Sequence, residues 1–279
     1  MTAHTLLLRI AAPLQSWGTR SRFAEYDTHL RPTKSGTLGM IAAAQGRDRT
    51  DDISDLAQLR FAVRGDRPGT PVREYHTAGG GTYPLRPLDL ITDHRRAAAA
   101  DPTTCRATGP AFGYTAGRAL DRWYGAPKYI APDPATGVLL ADKAPRTSLQ
   151  TIRYYLADAA FVVALQHDDQ AALTGIASAL ERPKRLIWLG RKSCPPAGEM
   201  VQGVHTGTVE QVLADTELLP NASTQAPWTW IEAPTPTPGG LVVNDQPITY
   251  DPIRRTHAPR KEHRARITPG ITHGWSDLL

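Results

Sequence analysis

Two short segments of this chain concentrate the groups that hold an anion. The first is Arg31-Pro-Thr-Lys-Ser-Gly-Thr-Leu-Gly39, which sets a lysine and several hydroxyls at the start of a small-residue helix. Pro32 stiffens the approach, and Thr33 or Ser35 can cap the helix by accepting from a free backbone N–H. A helix start with Lys34 beside it suits a phosphate, because unpaired N–H groups and the helix dipole point the same way. An ordinary capped helix whose glycines permit close packing fits the same residues. No Gly-x-x-x-x-Gly-Lys-Ser/Thr precedes the segment, so it is not a nucleotide-triphosphate loop. The second segment runs from Arg182 to Pro195 and carries Arg182, Lys184, Arg185, Arg191 and Lys192. There Gly190 frees the backbone for close approach and Ser193 can bond a phosphate oxygen. A solvated basic sheet edge is the plainer reading of that run.

Other chemistry is thinner. Trp17, Tyr75 and Trp188 are candidates for stacking on a base, although Trp188 sits in an apolar run that suits core packing. Glu74-Tyr75-His76-Thr77 places a possible general acid and base side by side, enough for metal-independent RNA cleavage through the 2′-hydroxyl. A histidine there serves equally well as a structural hydrogen-bonding group. No Gly-x-Ser-x-Gly, His-Glu-x-x-His or paired-carboxylate motif occurs. Cys105 and Cys194 are the only cysteines, which rules out a disulfide framework and offers no metal-ligand spacing. Neither a metal nor a cofactor is expected, and a reducing cytoplasm is the expected setting.

Composition permits these readings without forcing one. The formal charge of +5, from 32 Lys and Arg against 27 Asp and Glu, allows a polyanionic partner but does not demand it. A chain of 279 residues suits one large or two modest domains. The apolar run at Leu6–Leu8 is broken by Arg9, too soon for a signal-peptide core, and no run is long enough to span a membrane.

The elements that must position these groups follow from periodicity. Thr5–Ile10 alternates like a half-buried strand, and the helix is expected over 35–46. Leu59–Arg64 alternates again, with Leu59, Phe61 and Val63 inward, Arg60 and Arg64 outward, and a turn at Arg67-Pro68-Gly69. Between about 78 and 147 the chain is rich in Pro, Gly, Thr, Ala and Arg and reads as an extended insertion. Strands return around Tyr154–Leu156 and Phe161–Leu165, a helix is expected over Asp168–Leu180, and Leu186–Leu189 reads as strand-like. Residues 205–214 read as a further short helix, 233–240 as a stiff linker, and 241–250 as a hairpin turning at Asn244-Asp245. The basic C-terminal run, with Arg254, Arg255, Arg260, Lys261, Arg264 and Arg266, reads as a solvated arm that can gain order along a phosphate backbone. The order strand, helix, strand, insertion, strand, helix, strand is that of a ferredoxin-like α+β fold, βαββαβ.

Six blocks in this order resemble one family. They are Leu-x-x-Pro-Leu-Gln-Ser-Trp-Gly18, the 31–39 segment, Phe61-Ala-Val-Arg, Glu74-Tyr-His-Thr77, Tyr155-Leu-Ala-Asp-Ala-Ala-Phe161 and Leu189-Gly-Arg-Lys-Ser-Cys-Pro195. The chain resembles the CasD family, the guide-end-capping subunit of the type I-E CRISPR Cascade complex, within the RAMP superfamily. The matching blocks cover 1–77 and 150–196. The resemblance implies a ferredoxin-like, RRM-like body (1–77 and 148–225) and a thumb inserted after the second strand (78–147). The C-terminal hairpin plus basic tail (226–279) is read from the residues, and both it and the insertion are longer than the family's usual segments. It implies a non-catalytic RNA-binding subunit that caps the 5′ handle of the CRISPR RNA. It further implies contact with the backbone, large and small Cascade subunits, and with target DNA only indirectly. Relatives in type I-C systems cleave precursor RNA, so an endoribonuclease using His76 or Tyr75 is the alternative. For RNA, Lys34, Ser35, Arg191, Lys192 and Ser193 are expected on the backbone, with Thr33 at the helix start and Gly36 and Gly190 permitting approach. Arg20, Arg22 and Arg31 are expected as further phosphate contacts. Gln15 and Trp17 are expected to read or stack a base, and His76 and Arg153 are additional candidates.

Overall fold

The computed structural model describes residues 2–18, 25–78, 130–132, 139–141, 149–233 and 240–270. Arg20, Arg22 and most of the expected thumb lie outside them. The chain divides into two compact units, Met1–Glu74 with Ile152–Tyr250 and Arg255–Leu279 in one, and Tyr75–Thr151 with Asp251–Arg254 in the other.

The first unit is built on a seven-stranded sheet in which every neighbouring pair is antiparallel. Its strands are β1 (His4–Ala11), β4 (Arg60–Arg67), β9 (Ala160–His167), β10 (Val201–Thr206), β11 (Trp228–Glu232), β12 (Leu241–Thr249) and β13 (Thr256–Arg266), in the order β10-β1-β9-β4-β11-β13-β12. Helix α1 (Lys34–Gln45) connects β1 to β4, with the short α2 (Ser54–Ala57) following it. Helix α3 (Gln170–Glu181) connects β9 to β10, and α4 (Val209–Asp215) follows β10. A second sheet pairs β8 (Leu149–Ala157) with β2 (Leu14–Gln15), β3 (Glu25–Tyr26) and β5 (Thr70–Ala78).

Alternation sorts the central strands onto two cores. Leu6, Leu8, Phe61, Val63, Phe161, Val163 and Leu165 share one cluster with α1 and α3. Leu7, Ala62, Val162 and Ala164 point the other way and meet Val209, Val212 and Leu213 of α4. Because both faces are covered, Ala160–Leu165 of β9 are buried without interruption, which is why this run reads as continuous apolar sequence.

Several expectations are corrected. Arg64 does not face solvent; it is 0% exposed on the face covered by α4. Its guanidinium donates to both Asp66 oxygens and to the carbonyls of Leu213, Thr216 and Glu217, so it terminates α4. Leu186–Leu189 is not a strand. Leu186 is exposed and only Leu189 is buried, while the strand falls on Val201–Thr206, whose Gly203 and polar residues weaken the apolar signal. Asn244-Asp245 is not a hairpin turn, since both lie inside β12 and the reversal comes after Thr249. The basic C-terminal run is not an arm, because β13 takes residues 256–266 into the main sheet between β11 and β12.

The second unit contains the antiparallel pair β6 (Ile130–Pro132) and β7 (Leu139–Ala141). Within it, the Thr151 hydroxyl donates to the carbonyl of His76 at 3.4 Å. Among the described residues, no helix is long and apolar enough to cross a membrane.

Arg64 supplies a direct test of the two-faced packing. Arg64→Met strands the buried Asp66 carboxylate and frees three carbonyls, and is expected to cost about 3–5 kcal/mol in urea unfolding. A loss under about 1 kcal/mol, the range of an exposed ion pair, would place Arg64 outside the core.

Candidate nucleic-acid interface

Helix α1 begins as the sequence suggests, and Thr33 rather than Ser35 is the cap: its hydroxyl accepts from Gly36 N at 3.1 Å. The helix start also receives an anion, but that anion belongs to the chain. Oδ2 of Asp245, from β12, accepts from the backbone N–H of Lys34 at 2.8 Å. The side chain of Lys34 is 2% exposed and its Nζ donates to both oxygens of Glu232 on β11, each at 2.9 Å. Glu232 also accepts from Phe61 N at 2.9 Å, tying β11 to β4.

The same network includes Arg260, whose Nε and Nη2 meet the two Asp245 oxygens at 2.6 and 3.1 Å and whose Nη2 lies 3.0 Å from Glu262. Arg31 pairs with the other Glu262 oxygen and sits 5.0 Å from the ring centroid of Trp230. Three cations (Arg31, Lys34, Arg260) thus balance three carboxylates (Glu232, Asp245, Glu262) in a largely desolvated site. Burial lowers the Lys34 ammonium, opposed by Glu232. Burial alone raises the Asp245 carboxyl, but the Arg260 hydrogen bonds and charge outweigh it and hold it below its ordinary value. For Glu262 burial wins against Arg31 and Arg260, and its carboxyl is raised.

These facts correct the expectation that Lys34, Ser35 and Gly36 face a phosphate. Lys34 is spent on Glu232. Ser35 is buried and its carbonyl accepts from the Tyr250 hydroxyl. A Cβ on Gly36 would lie 2.9 Å from both Thr33 Oγ1 and Trp17 Cε3, so this glycine admits the indole, not a ligand. Gln15 and Trp17 are likewise core residues, 0% and 1% exposed. The Gln15 amide donates to the Ala159 carbonyl at 2.8 Å and accepts from Trp17 Nε1 at 3.0 Å, which satisfies both buried polar groups. Arg31 is mostly buried against Glu262 and Trp230.

The 190s loop packs on the residues beside Trp17. A Cβ at Gly190 would fall 1.5 Å from the Ser16 carbonyl oxygen, and φ is +90°, so glycine is required by the backbone behind it. Ser16 N donates to Leu189 O at 3.0 Å. Arg191 lies under the loop and donates to the carbonyls of Tyr154 at 3.1 Å and Tyr26 at 2.8 Å. Its guanidinium also faces the rings of Tyr155 and Tyr26, at 4.7 and 5.8 Å. Arg153 of β8 approaches the same Tyr26 ring, at 5.6 Å. Lys192 and Ser193 are exposed, with the Lys192 ammonium 5.6 Å from the Trp188 ring. The structure therefore brings Arg153 and Arg191 together at Tyr26, and Lys192 and Ser193, the next residues of the loop, are exposed, with Lys192 at Trp188. Among the described residues, Arg153 has no hydrogen-bond or ion-pair partner. His76 and Tyr75 belong to the second unit, where Tyr75 is 60% exposed.

The sequence reading missed Tyr26, the Trp228–Trp230 pair and every carboxylate of the buried network. A signal existed: Trp228-x-Trp230-x-Glu232 and Arg260-x-Glu262-x-Arg264-x-Arg266 both keep period two, the spacing of one strand face.

The family described as CRISPR-associated protein (Cas_Cas5) matches residues 5–263. The chain belongs to that family, as the resemblance of the six blocks implied. Among individual proteins it is similar to the CRISPR system Cascade subunit CasD of Escherichia coli (strain K12), 29% identical over 195 residues that cover 68% of this chain and 66%, just under two thirds, of that protein. One chain of a CRISPR RNA-guided surveillance complex superposes with a TM-score of 0.60 at 28% identity, covering 98% of this chain and 95% of that one. A Cas protein solved by crystallography gives a TM-score of 0.60 at 29% identity, with 95% and 97% covered.

The buried network makes Asp245 a stability determinant. Asp245→Asn keeps the cap but breaks the charge pair with Arg260, and is expected to cost about 3 kcal/mol at neutral pH. The folded chain holds this carboxyl below its ordinary value of 3.8, so the unfolded chain binds the proton first as pH falls. Its stabilisation is complete above that value and is lost on acidification through the folded value. Stability measured from pH 7 to 2 should fall less steeply in Asp245→Asn; an identical acid limb would contradict the assignment.

Proposed function

We propose that this chain is an RNA-binding subunit of a CRISPR Cascade surveillance complex that holds the 5′ handle of the CRISPR RNA and does no chemistry on it. The observation that carries the reading is the set of cations that Arg153, Arg191 and Lys192 hold against rings, with Ser193 exposed in the same loop. Two arginines share the Tyr26 ring there, and exposed donors stand next to partly exposed aromatics. Cations for phosphates and rings for unstacked bases are what recognition of a single-stranded RNA end requires. Family membership and the similarity to a Cascade subunit support the assignment to such an assembly. Guide RNA and the backbone, large and small subunits are the partners this reading assigns, with target DNA reached indirectly.

The body is read as ferredoxin-like. The order β10-β1-β9-β4, antiparallel throughout and with α1 and α3 as its two connections, supports that reading. Residues 78–147 are assigned as the thumb that meets a neighbouring subunit. Arg191 acts here as an anchor for the Tyr26 and Tyr155 rings, while Arg153 and Lys192 supply the charges for the strand.

Arg153→Ala with Lys192→Ala should weaken binding of a handle-containing RNA. The slope of log affinity against log salt should shrink by about 0.7 for each phosphate of a single strand that is no longer neutralised. Preference for the handle over scrambled RNA of equal length should fall with it. Unchanged affinity and slope would remove this surface from the interface. Cleavage of repeat RNA by the purified chain in chelator, abolished in His76→Ala, would replace the non-catalytic reading with an endoribonuclease.

A further inference from the structure

The sheet carries a second row of cations on rings that the handle surface does not use. Cross-strand register sets Trp228 opposite Arg266 and Trp230 opposite Arg264 on β11 and β13. Arg264 Cζ lies 3.6 Å from the centroid of Trp228 and 5.8 Å from that of Trp230, and Arg266 lies 4.5 Å from Trp228. At 3.6 Å the guanidinium carbon is in van der Waals contact with the indole, so the group is held in place by its face. Stacking leaves the N–H donors, which lie in the guanidinium plane, available at its edges.

Few partners take up those donors among the described residues. Among the described residues Arg264 makes no hydrogen bond or ion pair, and Arg266 donates once, to the Ala226 carbonyl at 3.1 Å. The carboxylate next to Arg264 on the same strand face, Glu262, is committed to Arg31 and Arg260. Both arginines are exposed. Two pre-oriented guanidinium groups with no counter-charge among the described residues, two residues apart on one strand face, fit successive phosphates better than they fit solvent.

We propose that the β11–β13 surface at Arg264 and Arg266 is a second nucleic-acid contact, which holds the phosphodiester backbone of one strand without reading its bases. The inference rests on the proposed function only in assigning the chain to nucleic acid; the residues are separate from Arg153 and Lys192. The same chemistry is offered by guide RNA and by single-stranded DNA.

The test measures salt-dependent binding of the full chain to three equal-length single strands: handle RNA, scrambled RNA and scrambled DNA. Arg264→Gln with Arg266→Gln should lower the slope by about 0.7 per arginine on handle and scrambled RNA alike. An equal reduction on DNA makes the shared backbone the ligand, and a reduction confined to RNA makes it the guide strand. Arg264→Lys with Arg266→Lys should restore most of the slope, because charge and not stacking sets it. Lys192→Ala should instead reduce handle preference and leave the contribution of these two arginines intact, so the two sites fail separately. An unchanged slope on all three strands overturns the proposal. So does a fall in melting temperature that tracks the weakened affinity and is not rescued by lysine, since the pair is then only a strand clamp.

Discussion

The carboxylate of Asp245 on the first N–H of α1 is the contact on which the rest of this unit depends. Asp245 and Lys34 are 211 residues apart in sequence, and their bond fastens the last strands of the sheet to its first helix. One oxygen cannot serve this alone. Arg260 neutralises it, Glu262 balances Arg260, and Arg31 balances Glu262, so the network closes only when β12, β13 and the 31–34 segment are all in place. Buried charges that are paired cost little, whereas one left unpaired costs several kcal/mol. The network therefore favours a single register of β12 and β13 over the slipped alternatives open to a polar strand.

That constraint redirects the interpretation of the most basic part of the chain. The 31–39 segment has the composition of an anion site because it is one, with the anion supplied internally. The contacts proposed for an external strand are instead cations held by rings: Arg153 at Tyr26, Lys192 at Trp188, and Arg264 and Arg266 at Trp228. Rings fix the position of such groups without consuming their hydrogen-bond donors, which a carboxylate would do.

Legibility follows the sequence distance over which each feature is encoded. Strands β1, β4 and β9 and helices α1 and α3 are readable because their apolar residues repeat at 2 or 3.6 within a few positions. The cap at Thr33 and the turn at Pro68-Gly69 are equally local. The fourth strand of the core is misplaced by pattern alone because Leu186–Leu189 is more apolar than Val201–Thr206, yet Leu189 alone is needed to seat the loop against Ser16. Arg64 reads as outward because nothing near it foretells α4 on that face. The site is the least legible part. Whether Lys34 meets a phosphate or Glu232 depends on a residue 198 positions away, and no local pattern encodes that pairing. Gln15 and Trp17 mislead for the same reason, since polar and aromatic groups that bind a base also satisfy one another in a core.

Lys34 serves the fold and not the ligand. The most direct test is the handle-RNA affinity and salt slope of Lys34→Met combined with Glu232→Gln, which removes both charges and keeps an acceptor for Phe61 N. A folded chain with wild-type affinity and slope is the expected result. A folded double variant whose slope drops by about 0.7, the signature of one phosphate left unneutralised on a single strand, would contradict it.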